Sequence, residues 1–258
     1  MNVFKQLIVS LYSPKDISTF RHQKIGKTLL YVLTLTLLSI LPSIYHFSTS
    51  MVDGVDTIEE IVQKELPPFT IENGELFSDE PIPLTINKND FTFIFDSTGT
   101  INQAEIDRAN DTIFILKNEL VYSASGVSQS MPYSMFGDIT ITKDDLSSML
   151  TSVDSIIPIT IPIVSLIVFL FSSLMKFIEI SILALFGLAL INILSKKSSY
   201  GHLWRMSAYS VTLPTIFFTI MDALKTIVPN GFFIHWLVTL IILLLALKEL
   251  PTEKKQIS

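Results

Sequence analysis

The chain has no cysteine in 258 residues, which excludes disulfides, thiolate zinc sites and thiol nucleophiles. An exported domain built from it must hold together by its core alone. Charged residues are scarce at 16%, and the hydrophobic share is 49%; soluble globular chains carry about 25% charged residues. The mean hydropathy is +0.51. The four histidines, His22, His46, His202 and His235, show no His-x-x-x-His or comparable spacing, so no metal site is expected. No Gly-x-Ser-x-Gly, phosphate loop or dinucleotide fingerprint is present, which removes the cheapest support for hydrolase and nucleotide-driven activities. The acidic residues Asp53, Asp56, Glu59, Glu60, Asp144 and Asp145 do not follow the every-second-residue spacing of a calcium loop and read as a solvated face. No enzyme activity and no cofactor are expected.

What the chain does have is a charge asymmetry. Residues 47–155 hold 19 of the 24 acidic residues and 5 of the 18 basic ones. Long apolar runs bracket this segment, and the remaining segments are predominantly basic. Lys and Arg stay on the cytoplasmic side of a membrane protein, so the pattern predicts an acidic segment outside and basic segments inside. An acidic outer segment also argues against nucleic-acid binding, which needs a basic surface.

Residues 1–27 read as a cytoplasmic segment. Val3, Phe4, Leu7, Ile8 and Leu11 fall on one helical face, as in an amphipathic helix lying on the membrane interface; a simple basic flank is the alternative. Ser13-Pro14-Lys15-Asp16 has the form of a helix start. Residues 28–45 form an uncharged run of 18, roughly 27 Å of helix against a ~30 Å hydrocarbon core. Residues 28–46 are therefore expected as a first span that stays in place as a signal anchor. Residues 165–194 are expected as a second span, about 45 Å of helix, with 156–164 as an interfacial or re-entrant lead-in containing Pro158 and Pro162. Residues 195–206 form a basic cytoplasmic loop, 207–228 a third span, and 232–247 a fourth, after the Pro229-Asn230-Gly231 turn. Residues 248–258 are a cytoplasmic tail in which Lys248, Lys254 and Lys255 close the chain on the inside. The expected class is thus a polytopic α-helical membrane protein of four spans in the cell membrane, both termini cytoplasmic. Five spans, with a turn at Lys176 to Ile178, is the alternative. Lys24, Lys27, Lys196, Lys197 and Arg205 are the expected cytoplasmic anchors.

Between the first two spans, residues 47–155 predict a small extracytoplasmic β-rich α+β domain. A short helix over Ile58 to Val62 should stop at Pro67-Pro68. Phe69-Thr70-Ile71 runs into the Asn73-Gly74 turn signal, and Phe91 to Phe95 into Asp96-Ser97-Thr98-Gly99. Thr112 to Leu116 and Glu119 to Tyr122 suit a hairpin around Lys117-Asn118. Asp138 to Thr142 alternates like a strand, and Thr142-Lys143-Asp144-Asp145 has the form of a helix cap.

The order of these pieces resembles an uncharacterised membrane-protein family of Gram-positive bacteria, some of whose members are labelled maltodextrin utilization proteins. The likeness rests on Ser10-Leu11-Tyr12-Ser13-Pro14, on Arg21 with Gly26 and Tyr31, and on Leu66-Pro67-Pro68-Phe69-Thr70-Ile71 with Gly74. The membrane half also resembles the Yip-type fold, in the loop Ser199-Tyr200-Gly201-His202-Leu203-Trp204 before a proline-bearing span, Tyr209-Ser210-Val211-Thr212-Leu213-Pro214. Neither resemblance supplies a catalytic motif. The first implies a link to carbohydrate uptake.

Five polar residues in the apolar runs are candidates for function, because charges inside a membrane are rare. Lys176 and Glu179 lie three apart on one helix and can pair, either for function or to steady a long span. Asp222, Lys225 and His235 should sit toward the outer leaflet with His46 at similar depth, as a relay cluster or as interfacial anchors beside Trp236. Two functions compete: a non-enzymatic sensor or accessory protein with a protein partner or self-association and a small-molecule or saccharide ligand, and a small oligomeric transporter or channel.

Overall fold

A computed structural model describes residues 1–81, 83–88, 91–124 and 126–251. Lys254 and Lys255 lie outside the described residues. The chain divides into two compact units, one of residues 1–48 and 161–258 and one of residues 49–160.

The first unit is helical. It opens with α1 (Val3–Ser10), α2 (Pro14–Thr19) and a 3₁₀ turn (Phe20–His22). Asn2 caps α1 by accepting from the Lys5 N–H at 2.8 Å. Ser13 caps α2, with Pro14 in the first turn and Asp16 donating its N–H to the Ser13 hydroxyl at 3.3 Å. The amphipathic α1 turns polar residues inward: its buried residues are Gln6 and Ser10, while Phe4 and Ile8 are 65% and 57% exposed. The reason is a polar socket in the core, where the Tyr209 hydroxyl donates to Gln6 Oε1 at 3.3 Å. Val3 and Leu7 pack partly against the same core.

Three long helices follow the pattern of apolar runs, and their lengths differ from expectation. The helix α3 (Ile25–Lys64) is 40 residues long and contains Pro42. No strong stop signal intervenes before Pro67-Pro68, so the separate short helix expected over 58–62 is simply the end of α3. The helix α5 (Lys143–Ile193) runs for 51 residues. It is unbroken through Lys176 to Ile178, where the five-span alternative requires a turn, and the expected lead-in over 156–164 is part of it. The last helix, α8 (Gly231–Lys248), has 18 residues. All three are long and apolar enough to cross a membrane, which suggests a membrane protein. The surface agrees: Leu166, Ile167, Leu170 and Phe171 of α5 are each 57–59% exposed, a contiguous apolar face of a kind that soluble monomers rarely present.

The expected third span is where the structure departs most. Residues 207–228 do not form one helix. They are divided between α6 (Tyr200–Ser210) and α7 (Thr212–Ala223), and residues 224–228 are non-helical. Pro214 explains the break, because it has no N–H and its ring crowds the carbonyl four residues back, that of Ser210. The core of this unit lies where Tyr31 and Leu35 of α3, Ile180 and Leu183 of α5, Leu203 and Tyr209 of α6, and Leu243 of α8 come together. The rings of Tyr31 and Tyr209 pack at a tilt, 4.3 Å between centroids and 43° between planes, and the Tyr31 hydroxyl bonds to Thr212 Oγ1 at 2.5 Å.

The second unit holds the sheets. Strands β1 (Phe69–Glu72), β2 (Glu75–Ser78) and β8 (Ile141–Thr142) form one sheet in the order β2-β1-β8. The strands β3 (Leu84–Lys88), β4 (Phe91–Phe95), β5 (Thr112–Ile115), β6 (Glu119–Ala124) and β7 (Val127–Pro132) form the other, in sequence order. The β1–β2 hairpin turns on Asn73 and Gly74, both at positive φ, with Glu72 opposite Glu75; this is the backbone that Asn-Gly favours. The β5–β6 hairpin forms around Lys117-Asn118 with Ile115 opposite Leu120. Of Asp138 to Thr142, only Ile141–Thr142 is strand. The cap on α5 is a reciprocal box: Asp145 donates its N–H to Thr142 Oγ1 at 3.2 Å and accepts the Thr142 N–H at 2.9 Å. The core contains Ile61, Leu66, Phe69, Leu76, Phe93, Phe95 and Ile141.

The strands β4 and β5 run parallel, so the chain must cross over between them. It does so through α4 (Gln103–Arg108). Asp96 organises the start of this crossover. It is 1% exposed and accepts from the N–H groups of Thr98, Gly99 and Ile101 at 2.9, 3.1 and 2.9 Å. The Thr98 hydroxyl adds a bond at 2.6 Å. Burial alone pushes the Asp96 carboxyl up, but the bonds from Thr98, Ile101 and Thr100 together hold it below its ordinary value. A depressed carboxylate contributes stability that is present above the unfolded pKa of about 3.9 and lost as pH falls through the lower folded value. Asp96→Ala is expected to cost about 2 kcal/mol by stranding several amide donors. It should also flatten the acid limb of the unfolding curve of the full chain, measured by circular dichroism between pH 2 and 6. An unchanged acid limb would separate Asp96 from acid stability.

Candidate functional site

The polar residues of the helical unit gather around one cavity of about 800 Å³, lined among others by Lys176, Glu179, Phe218, Asp222, His235 and Trp236. A smaller one of about 270 Å³ is lined by Ser39, Lys176, Thr215, Phe218, Thr219, Asp222 and His235. Lys176 and Glu179 are one turn apart on α5 and pair at 2.9 Å. Across from them, α8 supplies His235, whose Nε2 lies 2.7 Å from the other Glu179 oxygen. A carboxylate only accepts, so Nε2 carries the proton in this bond and Nδ1 remains for a second partner. Lys176 Nζ also donates to Thr215 Oγ1 of α7 at 3.3 Å. The three charged or titratable side chains are 14–17% exposed. Glu179 thus has both oxygens engaged and joins α5 to α8, while Lys176 joins α5 to α7.

Asp222 belongs to a second group. Its Oδ2 accepts from Ser43 Oγ of α3 at 2.6 Å, and its backbone carbonyl meets His46 Nε2 at 3.1 Å. Asp222 makes no ion pair among the described residues. Lys225 does not enter either cavity. It sits at positive φ just beyond α7, its side chain exposed, with its N–H bonded to the Asp222 carbonyl at 2.9 Å. Of the five candidates, Lys176, Glu179, Asp222 and His235 therefore share one cavity, and Lys225 lies outside it.

Sequence reasoning overlooked Ser39, Ser43 and Thr215. A signal was present for two of them: Ser39, Ser43 and His46 follow a four-then-three spacing, which places them on one face of α3. Nothing comparable marks Thr215, whose role depends on the placement of α7 against α5.

The expected anchors have different tasks. Lys196 donates to the carbonyls of Lys248 and Leu250 at the end of α8, where a cation satisfies orphan carbonyls and the helix dipole. Lys27 donates to the Met1 carbonyl at 2.5 Å. Arg205 Nη1 donates to the carbonyls of Arg21 and Gly201 at 3.2 and 3.1 Å. Lys24 is exposed, and Lys197 lies in the segment between α5 and α6.

Removing one member of the α5 pair should cost more than replacing both. Glu179→Ala leaves Lys176 without its counter-charge among apolar helices, a loss of about 3 to 5 kcal/mol. The double variant Lys176→Met, Glu179→Leu should recover most of it. Thermal unfolding of the purified protein in detergent checks both, and equal losses in the single and double variants would contradict an ion-pair account.

No curated protein and no solved structure matches the chain. The chain matches the family described as Protein of unknown function (DUF1189) over residues 4–247, from α1 to the last turn of α8. That range takes in both units and every residue of the polar cavity, and the chain belongs to the DUF1189 family.

Proposed function

We propose that the protein is a non-enzymatic accessory or sensor protein of the cell membrane. In this reading α3, the α6–α7 pair, α5 and α8 make four crossings, both termini are cytoplasmic, and the acidic α+β unit lies outside. The observation that carries it is the division of the chain into a helical unit with lipid-suited surfaces and a separate α+β unit with its own buried core. An outer domain with its own core can present a binding surface without disulfides. The accessory role would lie beside a membrane partner, such as the permease of a sugar importer, in keeping with the maltodextrin label of the resembling family. The Yip-type likeness would describe the α6–α7 region, where the helix breaks ahead of Pro214.

A second reading is favoured by one observation. A cavity that holds a Lys-Glu-His network and a carboxylate, Asp222, bonded to a serine hydroxyl suits a small oligomeric transporter or channel. Asp222→Asn, which leaves the Lys176–Glu179 pair intact, should abolish activity in a transporter and be tolerated in a sensor or scaffold. In-cell crosslinking of the full-length protein, followed by mass spectrometry, should recover a stoichiometric membrane partner if the accessory reading holds. Recovery of self-crosslinked species alone would favour the transporter.

Orientation can be tested directly, because the natural chain has no cysteine to remove. Single cysteines at Ser130 and Lys225 should react with a membrane-impermeant maleimide in intact cells, and one at Lys5 only after permeabilisation. Labelling of the Lys225 position only after permeabilisation would overturn the four-crossing topology.

A further inference from the structure

Away from the polar cavity, the helical unit gathers a second set of ionisable side chains that no acid balances among the described residues. They come from the 3₁₀ turn, the entry to α3 and its first turn, and the helix α6, which packs on the 3₁₀ turn. The rings of His22 and His202 meet edge to face at 5.3 Å between centroids. Arg205 reaches the backbone of the turn through its bond to the Arg21 carbonyl at 3.2 Å, and Arg21 itself donates to the Ser18 carbonyl at 2.9 Å. The Arg205 Nε is buried with no partner among the described residues. Alongside, His22, Lys24 and Lys27 line a cavity of about 450 Å³ with Thr19 and Gln23. None of these six basic or titratable groups forms an ion pair among the described residues. The nearest acid in sequence, Asp16, is engaged by the Ser13 hydroxyl at 2.5 Å.

Folding has therefore brought like charges together. Such a cluster costs Coulomb energy that a bound anion would offset. The donor types match one ligand chemistry: guanidinium forks and lysine point charges are the side chains that bind phosphate oxygens. Basic pockets on the cytoplasmic side of membrane proteins hold anionic lipid headgroups.

We infer that His22, Lys24, Lys27, His202 and Arg205, with Arg21, form a binding site for a phosphate-bearing anion, either the headgroup of an anionic phospholipid or free phosphate. The site is separate from the polar cavity, and its anion binding does not depend on which function that cavity serves.

Native mass spectrometry of the purified full-length protein, with phosphatidylglycerol or phosphatidylcholine added, tests the site. Thermal unfolding with each lipid and with inorganic phosphate supplies a second readout. Phosphatidylglycerol should be retained over phosphatidylcholine and should raise the unfolding temperature. The paired variant His22→Gln, Lys24→Gln removes two exposed members and should weaken retention about ten-fold. Lys24→Arg should preserve binding, and Lys5→Gln, which removes a charge outside the cluster, should leave it unchanged. A thermal shift with phosphatidylglycerol alone assigns the site to the lipid headgroup, and a shift with inorganic phosphate as well assigns it to free phosphate. Equal retention of the two lipids with no phosphate shift overturns the inference, as does an equal loss from Lys5→Gln, which would mark diffuse charge attraction.

Discussion

A carboxylate placed among apolar helices must find its donors within the protein, because hydrocarbon supplies none. Glu179 meets that requirement with one bond to its own helix and one to α8. Lys176, held in place by Glu179, then reaches α7 through Thr215. Three helices are thus fixed by the needs of one buried pair. The apolar contacts around it, between Ile180, Leu183, Leu203 and Leu243, are non-directional and leave the helices free to rotate or slide in small steps. The polar bonds are directional and select one register. This gives the network a structural role whichever function the cavity serves.

The same logic accounts for the packing of α1. A helix with Phe4 and Ile8 exposed and Gln6 and Ser10 buried would be inverted in a soluble protein. At a membrane surface an apolar outer face is economical, and Gln6 turns inward to the hydroxyl of Tyr209. The α+β unit obeys the opposite rule. Its buried residues include Phe69, Leu76, Phe93 and Phe95, and it relies on core, caps and the Asp96 loop, with no cysteine to bridge.

The legible features were those set by local chemistry. Asn73-Gly74, Lys117-Asn118, the Ser13 and Thr142 caps and the Pro67-Pro68 stop all stand where the residues put them, because each depends on a few neighbouring side chains. The strand β7 was not legible. Val127–Pro132 is exposed at every position, has no apolar alternation, and is a strand only because β6 offers it six residues to pair with. Helix lengths were also misread, since an apolar run shows what can lie in lipid and not where hydrogen bonding stops. Residues 47–64 are polar enough to end a span and still helical enough to continue α3. In the cavity, the Lys176–Glu179 pair followed from spacing on one helix. Its extension to His235 and Thr215 followed only from tertiary placement, as did the exclusion of Lys225, which lies three residues from Asp222 but beyond the end of α7.

The break between α6 and α7 has a consequence for the cavity. Residues 200–228 do not continue as one regular helix: α6 ends at Ser210 and α7 starts at Thr212, two residues before Pro214. From α7, Thr215, Phe218, Thr219, Met221 and Asp222 contribute to the cavity walls. The turn before α8 adds a second constraint. Asn230 adopts a left-handed conformation, and a Cβ on Gly231 would come within 2.8 Å of the Phe218 ring. The absence of a side chain at Gly231 thus lets the first turn of α8 lie against Phe218, and His235 stands one turn further along the same helix. A proline beside the α6–α7 break and a glycine that admits α8 therefore frame the cavity in which the Glu179 network closes. Neither residue carries chemistry of its own: Gly231 was visible in the sequence only as part of a turn, and Pro214 only as the proline of an expected continuous span.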